Sequence, residues 1–187
     1  SKMILFDVEL GNSLLFETTN NVKMGKWSID GRFMYWYEQI DGLWQVIQKN
    51  LFTTHQKSIL THSISRFEII DGESIYYQKI GTMNVHSQLL ENSVSLPSND
   101  KAQLLLQGIY SWDVHLDAIY YTTKSADQTS KVLFKKDLSS GVIEALYPLE
   151  VMPTDAGRNL SVSKNRRTSF YTKLDKYRTD VVLMTKQ

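Results

Sequence analysis

A repeat constrains this chain more than any other feature. Trp27-Ser28-Ile29-Asp30-Gly31-Arg32-Phe33-Met34-Tyr35-Trp36 is echoed without a gap by Glu68-Ile69-Ile70-Asp71-Gly72-Glu73-Ser74-Ile75-Tyr76-Tyr77, at an offset of 41 residues. A third copy runs from Trp112-Asp113-Val114-His115 to Ile119-Tyr120-Tyr121, and a fourth from Val162-Ser163-Lys164-Asn165 to Phe170-Tyr171. Measured between the aromatic pairs beginning at 35, 76, 120 and 170, the intervals are 41, 44 and 50 residues. A separate echo joins Phe6-Asp7-Val8-Glu9-Leu10 and Leu14-Leu15 to Phe134-Lys135-Lys136-Asp137-Leu138 and Val142-Ile143, at an offset of 128, about three periods.

Inside each unit, short runs rich in Ile, Val, Tyr, Phe and Trp alternate with polar turns such as Asp30-Gly31, Asp41-Gly42, Asp71-Gly72 and Ser139-Ser140-Gly141. This is the pattern of antiparallel strands joined by tight hairpins, with Gly where the turn needs a positive φ. It predicts strands at 26–29, 33–38, 43–48 and 56–61 in one unit, then at 66–70, 74–79, 82–87 and 102–107. A third unit follows at 110–115, 118–123, 131–136 and 142–147, and a fourth supplies 159–163, 168–174 and 180–185. Residues 3–8 and 13–17 read as the outer two strands of an earlier unit. Pro97, Pro148 and Pro153 are expected between strands, where a missing N–H costs no ladder bond.

Four strands every 40 to 50 residues is the signature of propeller blades. The expected fold is therefore all-β: one β-propeller domain over 1–187, with about four blades of four antiparallel strands present and the ring incomplete or open. The blades fall at about 25–62, 66–108 and 109–150, with partial blades at 1–20 and 157–187. Unpaired blade faces would favour association with a second copy of the chain, giving a homodimer.

Composition narrows the function. The 21 Lys and Arg balance 20 Asp and Glu, for a net charge of +1, so there is no broad basic field to collect the phosphates of a nucleic acid. The absence of cysteine excludes disulfides, thiolate nucleophiles and cysteine-held zinc. No apolar run approaches the roughly 18 to 20 residues that span a bilayer, so any membrane attachment is expected from an anchor upstream of this segment.

The Asp-Gly turn, preceded by an aromatic or aliphatic strand and followed by an aromatic pair, resembles the TolB-like propeller repeat. The order of Trp27-Ser28-Ile29-Asp30-Gly31-Arg32, Asp41-Gly42-Leu43-Trp44-Gln45-Val46, Phe67-Glu68-Ile69, Gly108-Ile109-Tyr110, Leu160-Ser161-Val162-Ser163 and Thr179-Asp180-Val181-Val182-Leu183-Met184 is similar to that in the C-terminal propellers of CadC-like, ToxR-type winged-helix regulators. The similarity starts near Trp27 and covers about 160 residues. It departs at Lys164-Asn165-Arg166, where the Asp-Gly turn is expected, and in turns that lack the family's Pro. The resemblance implies a non-enzymatic, periplasmic sensory or protein-interaction domain of a membrane-anchored transcriptional regulator. Its partner would be a protein or a small-molecule signal, with no cofactor and no direct contact with nucleic acid. The alternatives are the propeller of a prolyl-oligopeptidase-type peptidase and a TolB-like protein-binding component of the envelope.

Ser111, Asp113 and His115 alternate along one predicted strand and have the residue types of a hydrolase triad. Successive same-face residues lie about 7 Å apart in a row, which does not seat a base between nucleophile and carboxylate. No catalytic residue is assigned. His55, His62, His86 and His115 lack metal-ligand spacing, and no metal site is expected. Lys164, Arg166 and Arg167 suit a solvated turn, with an acidic partner as the alternative. Trp27, Glu68, Trp112 and Val162 are equivalent positions on the innermost strand of each blade, which borders the channel where propellers bind ligands. Trp27, Glu68, Trp112 and His115 are accordingly the candidate ligand or partner contacts, although the two tryptophans better suit packing between blades.

Overall fold

The structure, a computed structural model, describes residues 2–6, 13–17, 20–28, 30–53, 55–70, 74–90, 102–115, 117–124, 131–149, 160–163, 168–174 and 179–185. Seventeen strands are formed and no helix occurs among the described residues. Three sheets have four strands. The first is β3 (Val22–Trp27), β4 (Phe33–Ile40), β5 (Leu43–Asn50) and β6 (Gln56–Thr61); the second is β7 (Ile64–Ile69), β8 (Ser74–Lys79), β9 (Val85–Leu89) and β10 (Gln103–Leu106). The third is β11 (Ser111–Val114), β12 (Ala118–Lys124), β13 (Lys131–Asp137) and β14 (Ile143–Leu149). A three-stranded sheet follows, of β15 (Leu160–Val162), β16 (Thr168–Leu174) and β17 (Thr179–Thr185), and β1 (Lys2–Phe6) pairs with β2 (Ser13–Glu17). Each sheet is an antiparallel meander in sequence order.

The turns explain the meander. Asp41 (φ 50°) and Gly42 (φ 79°) close the β4–β5 hairpin between the paired Ile40 and Leu43, the two positive φ angles that match a two-residue turn to strand twist. At the β3–β4 connection, the Ser28 hydroxyl donates to Asp30 Oδ1 (2.6 Å), and Arg32 N donates to the same oxygen (3.0 Å). After β13, Asp137 Oδ1 accepts from the backbone N of Ser139 and Ser140 (3.0 and 2.8 Å) and from both hydroxyls. These local bonds fix the chain reversal without help from the core. The Asp71-Gly72 turn lies outside the described residues.

Three local expectations are corrected. The first inner strand starts at Val22 rather than 26, because Met24 (φ 57°) sits in a bulge that shifts register between Lys23 and Lys26. The third strand of the second sheet starts at Val85, since Gly81 (φ 77°) opens a longer connection. Pro148 lies within β14, paired with Val132, rather than between strands. As the outer strand of its sheet, β14 tolerates a residue with no N–H to donate.

The chain divides into two compact units, Ser1–Ser63 with Leu90–Lys101 and Ile64–Leu89 with Ala102–Gln187. In the first, Met34, Trp36 and Ile47 form a core joined by Val22, Ile40 and Leu51. In the second, the third sheet packs on both faces. Trp112, Val114, Ile119 and Tyr121 meet Tyr76, Val85 and Leu106 of the second sheet, while Ala118, Tyr120 and Leu133 meet Leu160 and Val162 of the last. Stacking of successive sheets supplies the burial that no single sheet achieves alone.

Candidate functional site

The inner strands β7, β11 and β15 bring buried polar side chains together in the second unit. Alternation on β7 places Arg66 and Glu68 on one face, and both are buried. Arg66 Nε and Nη2 donate to Glu68 Oε1 at 3.0 and 2.9 Å. The guanidinium lies 4.8 Å from the Trp112 ring, donates through Nη1 to the Trp112 carbonyl, and reaches Asp113 Oδ1 through Nη2 at 3.3 Å. The other Asp113 oxygen accepts from the backbone N of Val162 at 2.7 Å. One arginine and one aspartate thus link the inner strands of three successive sheets.

Each expected contact residue has a definite place. Trp112 is fully buried among apolar side chains, and its Nε1 donates to Gln78 Oε1 at 3.0 Å. Its ring packs between sheets and has no exposed surface. Glu68 is neutralised by Arg66. His115 follows β11, with its ring edge-on to Tyr120 and Nε2 3.7 Å from Asp113 Oδ2. Trp27, in the first unit, is 49% exposed and keeps a surface that a partner can reach. Trp27 and Glu68 are equivalent in the repeat but not in the sheet. Trp27 pairs with Met34, seven residues on, whereas Glu68 pairs with Tyr76, eight residues on.

No triad is assembled from Ser111, Asp113 and His115. The Ser111 hydroxyl is fully buried and has no hydrogen-bond partner among the described residues, and the Asp113 carboxylate is engaged by Arg66, Val114 N and Val162 N. No metal-binding group of His, Asp and Glu occurs among the described residues. His86 stacks on Tyr77, and burial together with the Lys79 charge lowers its pKa, which favours the neutral ring. Burial also raises the phenols of Tyr77 and Tyr121. Lys164, Arg166 and Arg167 lie outside the described residues.

Sequence reasoning missed Arg66. Its type and spacing match a solvated strand face, and only the arrival of Trp112 and Asp113 from 46 and 47 residues away gives it a role. It also missed Glu38, buried on β4, whose carboxylate accepts from Trp36 Nε1 (2.7 Å) and Asn20 Nδ2 (2.9 Å). The Trp36-x-Glu38 alternation was a usable signal, since the two share a face.

No family model and no curated protein matches this sequence. Solved structures do. TolB from Acinetobacter baumannii is 13% identical, with a TM-score of 0.50 over 98% of this chain and 57% of its own length. A protein assigned as TolB from Agrobacterium tumefaciens is 15% identical, with a TM-score of 0.61 over 96% of this chain and 64% of its own. A prolyl endopeptidase is 14% identical, with a TM-score of 0.60 over 98% of this chain and 30% of its own. At such identities the likeness is one of fold. The chain has a TolB-like β-propeller fold of four-stranded blades and spans less than two thirds of the length of each of these proteins.

Proposed function

We propose that this propeller is a non-enzymatic sensory or protein-interaction domain, the periplasmic part of a membrane-anchored transcriptional regulator of the CadC-like type. One observation carries the non-enzymatic part of the reading. The polar side chains on the inner strands are engaged in joining sheets, with Arg66 and Asp113 bound on several sides and Ser111 sealed in the interior. The order of turns and aromatic pairs along the sequence supports the regulator. Binding of a partner to the blade surface would bias the arrangement of the linked domains, by no more than the partner's preference for one arrangement over the other.

The likeness to a prolyl endopeptidase favours a second reading, in which the propeller belongs to a peptidase whose catalytic domain lies elsewhere in the protein. One experiment separates the two. The full-length protein is fused at its C-terminus to alkaline phosphatase or to a fluorescent protein that matures only in the cytoplasm, and is treated in parallel with a fluorophosphonate probe. The regulator predicts phosphatase activity, no fluorescence and no labelling. Cytoplasmic fluorescence or active-site labelling would overturn it.

A further inference from the structure

The outer strand of the third sheet, β14, leaves apolar side chains exposed along a free edge. Val142 is 63% and Ile143 53% exposed, Ala145 is exposed as well, and among the described residues no strand pairs with the outer side of β14. Such an edge invites a strand from another molecule. Which backbone groups it offers follows from the pairing of β13. Asp137 N donates to the Val142 carbonyl (2.9 Å), on the β14 side, and Leu138 N donates to the Asp117 carbonyl (2.8 Å), on the β12 side. Alternation along β13, whose pairing with β12 is unbroken, then turns the backbone groups of Leu133 and Lys135 toward β14 and those of Val132, Phe134 and Lys136 toward β12. The β14 partners of the second set, Pro148, Ala145 and Ile143, therefore direct their own backbone groups outward.

In a regular strand the outward groups recur at every second residue. Here Leu146 is the extra residue of a bulge, so the next outward position after Ala145 is Pro148, which has no N–H to donate. The free edge thus offers two evenly spaced donors, Ile143 and Ala145, before its ladder breaks. The bulge recurs on the other outer strands, at Ile59 of β6 and Leu105 of β10, whereas β4–β5, β8–β9 and β12–β13 pair without a break. On β10 the Leu105 carbonyl is taken by Lys136 Nζ at 3.1 Å. Packing explains part of this, because the bulges turn Leu105 with Leu106, and Leu146 with Tyr147, to the cores between sheets. It does not explain Pro148, which is exposed. We infer that the outer edge of β14 is closed to strand addition, the Leu146 bulge and Pro148 together preventing a second copy of this chain from extending the sheet. The inference is independent of the function proposed above.

The test compares the chain with Pro148→Thr, and with Pro148→Thr combined with deletion of Leu146, by light scattering over a range of concentrations, while amide exchange follows Ile143 and Ala145. In the parent chain both amides are expected to exchange fast at every concentration. The double variant restores an outward donor at every second position and should self-associate about tenfold more tightly, with Ile143 and Ala145 becoming protected as it does. Pro148→Thr alone should give a smaller rise. Thermal unfolding checks that the variants stay folded; should the double variant unfold, the exposed single substitution and the parent's own amides still decide. Three results would each overturn the proposal: parent amides at Ile143 and Ala145 that slow as concentration rises, folded variants that associate no more than the parent, or association that leaves both amides fast.

Discussion

Replacing Asp113 with alanine removes the acceptor that ties β15 to β11 and one of the two carboxylates facing Arg66. The Val162 N–H points at Asp113 from a buried residue and would lose its partner, an effect of roughly 1.5–3 kcal/mol for a hydrogen bond to a charged group. The Arg66 side chain, 10% exposed, keeps Glu68 and the Trp112 carbonyl, so its own loss is smaller, about 1 kcal/mol. The expected destabilisation is about 3 kcal/mol. In a chain of 187 residues this lowers Tm by about 6 to 12 °C. Asp113→Asn keeps an acceptor oxygen and should lose about half as much. Urea unfolding followed by tryptophan fluorescence measures both. A loss below about 1 kcal/mol for Asp113→Ala, with unchanged urea dependence, would refute the view that this carboxylate holds the sheets together.

Hydrogen bonds from Ser28 and then from Arg32 hold the Asp30 carboxyl at a pKa of about 2, below its usual value of 3.8. Its contribution to stability is therefore present above about pH 4 and is lost as pH falls through about 2; an NMR titration should find that midpoint, and Ser28→Ala should raise it. Gly42→Ala should destabilise the β4–β5 hairpin by about 1 kcal/mol in a thermal melt, through φ alone, because a Cβ there meets nothing within 4 Å. Thr122, paired with Ser111 across β11 and β12, is fully buried and its hydroxyl has no partner among the described residues. Thr122→Val should leave stability unchanged or raise it by up to about 1 kcal/mol, and a clear loss would show that the hydroxyl is bonded.

The sheets were legible because their signals are local. Asp41-Gly42 and the aromatic pairs mark hairpins and strands within a few residues of sequence, and β6, β8 and β16 begin and end where the alternation predicts. The strand from Val22 was hidden by its polar, glycine-containing sequence, and its bulge follows a backbone angle at Met24 that composition does not report. The inner-strand linkage was illegible for another reason. Equivalent repeat positions do not share a face once the spacing to the paired residue differs by one, so Trp112, opposite Tyr121, turns into the core while Glu68, opposite Tyr76, meets Arg66. The contact between Asp113 and Val162 N spans 49 residues, which no local pattern encodes.

Residue-by-residue amide exchange tests the central claim, that stacked antiparallel sheets are joined along their inner strands, most directly. In β12, which is paired on both sides, every amide from Ile119 to Thr122 should exchange slowly. In β14, an outer edge strand, exchange should alternate between slow and fast. Val162, on an inner edge strand, should be slow in the native chain and fast in Asp113→Ala. Uniform protection along β14 or alternation in β12 would contradict the sheet order, and a Val162 amide indifferent to Asp113 would contradict the linkage.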